Sequence, residues 1–511
     1  MAKLLEEQRE NWGSRGGFVL AAVGSAVGLG NIWRFPYEAY TNGGGAFLIP
    51  YVLAMVVVGI PLLIMEFTLG HFMQLGPPGA FRKISKRTEF VGWWPILMSF
   101  IVVCFYSVVL AWCLNYLVLS FKQVVPWGGD AEKYFFTEYL QFNESYQLGG
   151  VRWPIVISLA VIWIGMYFCI FKGVKWVSKI VLWTVPLPWL MLMVLTVRSL
   201  TLDGAIQGLE YYLEPDWSAL KNIVVWRRAF GQVFFSMTVA FGVMITYASF
   251  LHRKSDINNN ALIVGIADLA TSFIAGIAVF ATMGSLALQK NIPVEDILGE
   301  SQSIGLAFVA FPTALSHLPA TQFFSVIFFT ALILLGIDSA FSMTEAVLAS
   351  VCDKSGWARK FVLPLMSVVG FGFGIFFTTK GGLNWLGTID SFVNGTWGIV
   401  LVGLVECVVV GWLYDVNLLR RHANARSDWK IGVWWEGLIK FVIPLILGVL
   451  FVWSLYDDFA SQEGFLVNSE GEMIWHNIFG LGLMALAFVT AVILSKVGRV
   501  DYSISGEQTD V

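Results

Sequence analysis

Charge is what this sequence has least of. Asp, Glu, Lys and Arg make up 13% of its 511 residues, against 57% hydrophobic residues. A water-soluble chain this long needs far more charge to cover its surface, so composition excludes an ordinary soluble fold. The formal net charge of −3 is too small for a nucleic-acid-binding surface or a strongly charged partner. Cysteine is scarce too: Cys104, Cys113, Cys169, Cys352 and Cys407 all fall in apolar segments. None stands at metal-ligand or redox spacing and none lies in a loop that would form an external disulfide, so they read as packing residues. The five histidines (His71, His252, His317, His422, His476) are scattered. They form no His-Glu-x-x-His motif and no clustered nucleophile and base, which argues against an intramembrane enzyme. A cleavable leader is not expected either. The start is polar (Lys3, Glu6, Glu7, Arg9, Glu10), and the first apolar stretch, near Phe18, has no cleavage-like end.

Long apolar runs are what the chain has in abundance. About 20 apolar residues cross the hydrocarbon core as a helix. Such stretches lie near 17–42, 46–73, 92–121, 153–172, 177–200, 222–250, 259–286, 320–352, 360–378, 385–413, 433–456 and 475–496. The expected fold is therefore an all-α polytopic membrane protein with twelve transmembrane helices and both termini on one side. Loops on the N-terminal side carry Arg82, Lys83, Lys86 and Arg87; Lys172, Lys175 and Lys179; Arg253 and Lys254; Lys354, Arg359 and Lys360; and Arg420, Arg421 and Arg426. Opposite loops are acid-rich, as in Asp130, Glu132, Glu138 and Glu144, or Asp457, Asp458, Glu463, Glu470 and Glu472. The positive-inside rule then expects both termini in the cytoplasm, with the lipid bilayer of the cell (inner) membrane around the spans. Connections 122–152, 201–221 and 287–319 are long, and the apolar run Ile304 to Leu315 is expected to pack as a cap. Trp12, Trp93, Trp94, Trp153 and Trp226 sit near span ends, as an aromatic belt does.

Two spans are interrupted. Span one reads Gly24-Ser25-Ala26-Val27-Gly28-Leu29-Gly30-Asn31-Ile32-Trp33-Arg34-Phe35-Pro36, with Gly17 upstream. Small-residue helix packing explains Gly24 and Gly28. It does not explain Asn31 and Arg34, and a buried Arg within a span faces a cavity or a partner. In span six, Gln232, Ser236 and Thr238 interrupt an apolar helix. Hydroxyls alone mean little, because they bond back to their own helix. Position means more. Spans one and six open two five-span halves, 1–5 and 6–10, and interruptions at matching places point to an inverted five-plus-five repeat with broken helices 1 and 6 around a midplane site. Unwound carbonyls coordinate a bare cation, and freed amides at a new helix N-terminus attract an anion. One break therefore holds both ends of a zwitterion together with its ion.

Acids lie inside the spans as well. Asp268 and Asp338 stand beside hydroxyls or glycine, surroundings that favour hard cations. Glu66, Glu345 and Glu406 read equally well as structural acids, and Asp390 lies near the outer end of span ten.

These residues resemble the sodium symporters of neurotransmitters, in particular the branch of bacterial leucine-transporter-like amino acid:sodium symporters. The most specific stretches are Gly28-Leu29-Gly30-Asn31-Ile32-Trp33-Arg34-Phe35-Pro36-Tyr37, Asn42-Gly43-Gly44-Gly45-Ala46-Phe47 with Pro50-Tyr51, and Gly336-Ile337-Asp338-Ser339. The resemblance implies a first sodium held by Ala26, Asn31, Ser236, Asp268 and the substrate carboxylate. It implies a second held by Gly24, Val27 and Leu335 carbonyls with Asp338 and Ser339. The substrate carboxylate would meet the Leu29 and Gly30 amides and Tyr106. Its amino group would meet Ala26, Phe235, Ser236 and Thr238, and its side chain would lie among Ser25, Val102, Tyr106, Phe235, Phe241, Ser339 and Met343. Arg34 and Asp390 resemble an outer gate with Gln232 alongside and Tyr106 and Phe235 as its lid. Arg9, Asp353 and Trp12 resemble an inner gate. The implied domains are an N-terminal gate segment 1–16, a transport core 17–415, spans eleven and twelve at 416–497, and a cytoplasmic tail 498–511. No organic cofactor is implied, and the chain is expected as a monomer or homodimer.

Departures from the family pattern narrow the function. Monoamine members carry an acid where this chain has Gly28, so room is left for a substrate carboxylate and an amino acid is expected. Animal members carry Asn where this chain has Asp268, so a fixed carboxylate is expected to replace their chloride. Ala240 stands where several relatives have glycine, read as a methyl on a pocket wall worth about 1–3 kcal/mol of size discrimination. The expected activity is sodium-coupled import of a small neutral amino acid, hydrophobic in side chain. The alternatives are a β- or γ-amino acid such as taurine or GABA as solute, and, more remotely, a channel or solute-gated receptor.

Overall fold

The computed structural model describes residues 10–143, 145–297, 303–460, 464–467 and 471–498. The fold is built from helices long and apolar enough to cross a membrane. Among the described residues ten of them pass as single spans: Gly45–Met73, Glu89–Ser120, Trp153–Ile170, Val174–Leu200, Asn258–Lys290, Thr321–Ser355, Arg359–Phe377, Gly382–Leu413, Trp434–Ala460 and Trp475–Lys496. An eleventh, span one, is the pair Arg15–Ala26 and Gly30–Thr41, bent by 46°. Span six completes the set as Ile223–Ser236 and Val243–Ser249. Neither half of span six reaches a membrane-crossing length, because 237–242 is not helical. "Inner" below denotes the side bearing the N-terminus.

Span one starts at a sequence-encoded cap: the Ser14 hydroxyl accepts the Gly17 N–H at 3.0 Å. Its inner half ends where Val27 turns extended (ψ 95°), and the chain resumes as a wide π-type turn over Gly30–Arg34 before Pro36. In span six, Thr238, Ala240 and Gly242 take left-handed φ values of 54°, 63° and 72°. Two of these are not glycine, which costs on the order of 1–3 kcal/mol each unless the surroundings hold them. Three side-chain bonds do so. Thr238 Oγ1 donates to the Ser25 carbonyl (2.9 Å), Ala240 N donates to Glu66 Oε1 (2.6 Å), and Ser99 Oγ donates to the Phe241 carbonyl (2.7 Å). Glu66 thus has a structural role at the break. Glu345 likewise pairs with Arg359 at the inner ends of spans eight and nine.

Two details depart from the sequence reading. Span ten, read in the sequence as one apolar stretch at 385–413, is kinked where Gly398 leaves helical geometry (φ −103°, ψ −105°), after Asn394 and Gly395. Ala240 is not on a pocket wall: its methyl lies towards Gly403 of span ten, where a β-carbon would stand 3.4 Å away. The alternating φ values of the break turn successive side chains to opposite sides, so Phe241 faces the cavity and Ala240 does not.

Span eight packs along span three, and both face the broken spans; spans four, five, nine, eleven and twelve turn large apolar side chains such as Trp183, Leu190, Phe361, Val452 and Leu486 outward. The run Ile304 to Leu315 is helical and lies as a cap. Its Phe308 stacks on Phe135 at 5.1 Å and meets Trp33 of span one at 6.3 Å.

Candidate functional site

The two breaks face each other across one cavity. Ser25, Ala26, Gly28, Gly30, Val102, Tyr106, Phe235, Ser236, Thr238, Phe241, Ser339 and Met343 line it, joined by Asn31. Of the residues expected around a substrate, Leu29 alone turns its side chain away, towards Gly336 in span eight. Its backbone still belongs to the site, because Leu29 N–H donates to Tyr106 Oη at 3.3 Å. Gly28 and Gly30 are defined by space. A β-carbon on Gly28 would stand 2.7 Å from Ser339 Oγ and 3.3 Å from Tyr106 Oη. One on Gly30 would run into the Phe235 ring. Gly30→Ala is therefore expected to prop the Phe235 ring open and lower solute uptake about 5- to 100-fold, since overpacking costs about 1–3 kcal/mol. Wild-type uptake in that variant would show that the ring yields freely.

Beside the cavity, three polar side chains from three spans converge. Asn31 Nδ2 donates to Asp268 Oδ1 (2.7 Å) and Ser236 Oγ (2.9 Å), and Ser236 Oγ donates to the same carboxylate oxygen at 2.6 Å. Sequence reasoning missed two members of this cluster. Ser272 Oγ accepts from Asn31 at 2.8 Å, and the Tyr51 hydroxyl lies 3.1 Å from it. Ser272 was findable, one helical turn after Asp268; Tyr51 stood in one of the family-like stretches but was assigned no role there. Asp268 is wholly buried, and its Oδ2 has no hydrogen-bond partner among the described residues.

The second acid lies beneath the first break. Asp338 is 1% exposed and neither of its carboxylate oxygens has a partner among the described residues. It sits against Gly24, where a β-carbon would stand 2.9 Å from Asp338 Oδ2. Ser339 Oγ donates to the Gly24 and Ser25 carbonyls at 3.3 and 3.1 Å, which turns its lone pairs the other way. Val27 provides the unwound carbonyl above, and Leu335 lies one turn before Ser339 on span eight. A buried carboxylate with no donor costs several kcal/mol unless a cation or a proton neutralises it. Carboxylate, hydroxyl and carbonyl oxygens together are the donor set of a hard cation.

Gate-like residues stand on both sides of the cavity. On the outer side Arg34 Nη1 stands 3.9 Å from Asp390 Oδ2, and its guanidinium lies 4.5 Å over the Phe235 ring. Gln232 Nε2 reaches the Gly30 carbonyl at 3.4 Å, and Asn394 steadies Asp390 at 2.6 Å. On the inner side Trp12 is buried, its indole N–H donating to the Tyr247 carbonyl at 2.9 Å. Asp353 accepts from Gly76 N at 2.9 Å; its expected partner Arg9 lies outside the described residues.

This architecture has known counterparts. The profile of the sodium:neurotransmitter symporter family matches residues 9–131 and 128–499. The chain belongs to that family. An uncharacterised sodium-dependent transporter of Methanocaldococcus jannaschii is 41% identical over 493 residues, 96% of this chain and 98% of that protein. The sodium- and chloride-dependent taurine transporter of the dog, Canis lupus familiaris, is 31% identical over 487 residues, 88% of this chain and 78% of that protein. The sodium-dependent dopamine transporter of Caenorhabditis elegans is 33% identical over 493 residues, 86% of this chain and 79% of that protein. The symporter is therefore a sodium-dependent membrane transporter, and the enzyme reading is excluded. Sodium and a small solute are what it moves.

Proposed function

We propose that this symporter imports a small neutral amino acid with two sodium ions by alternating access, without need of chloride. One observation carries the reading: two buried acids with unpartnered oxygens, Asp268 and Asp338, flank a single cavity lined at Gly28 by backbone and not by an acidic side chain. In this reading the first sodium is held by Ala26, Asn31, Ser236, Asp268 and the substrate carboxylate. The second is held by Gly24, Val27, Leu335, Asp338 and Ser339. Tyr106 donates to the carboxylate beside the Leu29 and Gly30 amides. Thr238, whose proton is committed to Ser25, offers lone pairs to the ammonium group. Because sodium and substrate share ligands, each binds better with the other present, and the Arg34–Asp390 gate closes over both. Each charge crossing 100 mV contributes about 2.3 kcal/mol, so two sodium ions concentrate a zwitterion strongly.

The arginine- and lysine-rich inner loops support cytoplasmic termini in the cell membrane, with 17–415 as transport core and Trp12 within the inner gate segment. Proteoliposomes with an imposed sodium gradient test the reading. Saturable, sodium-driven uptake with counterflow is expected; flux that follows the solute gradient without counterflow would favour a channel. The taurine transporter of the dog supports a second reading, a β- or γ-amino acid as solute. Apolar Val102, Phe241 and Met343 at the side-chain end favour an α-amino acid.

A further inference from the structure

Two further acids lie inside the spans, outside the lining of the cavity, and the transport reading gives neither an ion nor a solute to hold. Glu66 of span two and Glu406 of span ten are each 1% exposed. Among the described residues no Lys, Arg or His acts on either, and the charged group that bears on Glu406 is Glu66 itself. The Cys407 thiol, next to Glu406 on span ten, feels both acids, and span six presents the backbone amide of Ala240. Glu66 Oε1 accepts that Ala240 N–H at 2.6 Å, while Glu66 Oε2 has no partner among the described residues. Glu406 Oε1 has none either. Packing of the break against span ten brings these groups together. The Ala240 methyl lies 3.4 Å from where a β-carbon on Gly403 would stand, and Glu406 follows Gly403 by one helical turn. Two buried carboxylates with a single donor between them cannot both stay ionised. A proton between their oxygens removes one charge and supplies the missing donor. A metal cation fits less well, because the Ala240 amide already points its hydrogen at Glu66 and a hard cation needs several more oxygens.

We infer that Glu66 and Glu406 form a proton-binding site, with one proton bonded to Glu406 and shared by hydrogen bond with Glu66. The placement on Glu406 follows from the donors. Glu66 has the Ala240 amide to steady a negative charge, and Glu406 Oε1 has no such donor. Hydrogen bonds then run from span ten through span two to Ala240, whose left-handed φ of 63° needs holding because it is not glycine. Glu406 acts on the break through Glu66 and is a positioning residue.

The test uses the full-length purified protein in sodium buffer without solute, so it does not depend on which solute is carried. Infrared spectra are compared for the wild type, Glu66→Gln, Glu406→Gln and the double variant. The wild type should show the carbonyl band of one buried carboxylic acid. That band should be absent from the double variant and from both single variants, because in each of these the amide replaces the acid as donor to the remaining carboxylate. Part of the band surviving in a single variant would mean two protons, and no band in the wild type would mean none; either overturns the inference. Sodium-driven uptake, which rests on the transport reading, tests the hold on the break. Glu406→Gln should stay within about threefold of wild type, whereas Glu406→Leu, which lacks a donor, should fall at least about tenfold. Glu406→Leu at the wild-type rate overturns the positioning role. Should that variant fail to fold, a folded Glu406→Gln below about a tenth of wild-type uptake does the same. Loss of sodium-dependent thermal stabilisation in Glu406→Gln would make the pair a cation site and also overturn the inference. A wild type with no sodium-driven uptake of any amino acid would instead refute the transport reading and leave the infrared result standing.

Discussion

Asp338→Ala is expected to abolish sodium-dependent binding while leaving the protein folded. Asp338 is fully buried, and its two carboxylate oxygens meet no donor among the described residues. In sodium-free buffer it is thus a liability, and its removal should leave the melting temperature unchanged or raised. In sodium it supplies a buried formal negative charge beside Gly24. Breaking a buried charge pair costs about 3–5 kcal/mol, and about 1.4 kcal/mol is tenfold in affinity. Sodium affinity should fall by roughly 100-fold or more, and the melting difference between sodium and choline buffers should collapse. Solute uptake should be lost with it. A variant with wild-type sodium affinity would remove Asp338 from the site.

Uptake by the wild type is expected to be indifferent to chloride, and uptake by Asp268→Asn to be stimulated by it. Asp268 is the acceptor at the centre of a cluster that otherwise offers an amide and hydroxyls, from Asn31, Ser236, Ser272 and Tyr51. With asparagine in its place the donors remain and the fixed negative charge is gone, which is the environment that draws a small anion. Wild-type uptake should be within about twofold in gluconate and in chloride. The variant should be slowed at least about tenfold in gluconate, a loss typical of removing a charged hydrogen-bond partner, and partly restored by chloride. Collapse of wild-type uptake in gluconate would sink the idea, and so would a variant indifferent to chloride.

Much of this site was legible in the sequence because its signals are local. Asn31 and Arg34 in an apolar run, or Asp268 and Asp338 in mid-span, are conspicuous wherever the chain goes, since polar groups in hydrocarbon need a reason. The resemblance then assigned partners across spans. What stayed hidden were bonds between distant residues that each look ordinary. Glu66 offers no hint that it holds the Ala240 amide, nor does Ser342 that it orients Ser25. The kink at Gly398 was equally silent, because a glycine beside an apolar run reads first as packing.

The sequence by itself determined that the chain crosses a membrane many times, that spans one and six are interrupted, and which acids lie buried within the spans. Those follow from one-dimensional patterns, the length of apolar runs and the cost of burying charge. Only the tertiary structure decided which way the interrupted residues face. The left-handed turns at Thr238, Ala240 and Gly242 aim Phe241 at the cavity and the Ala240 methyl at span ten. Their reason is geometric: outside a helix no fixed periodicity ties a residue's number to its direction, so contacts from Glu66, Ser99 and Ser25 set it instead.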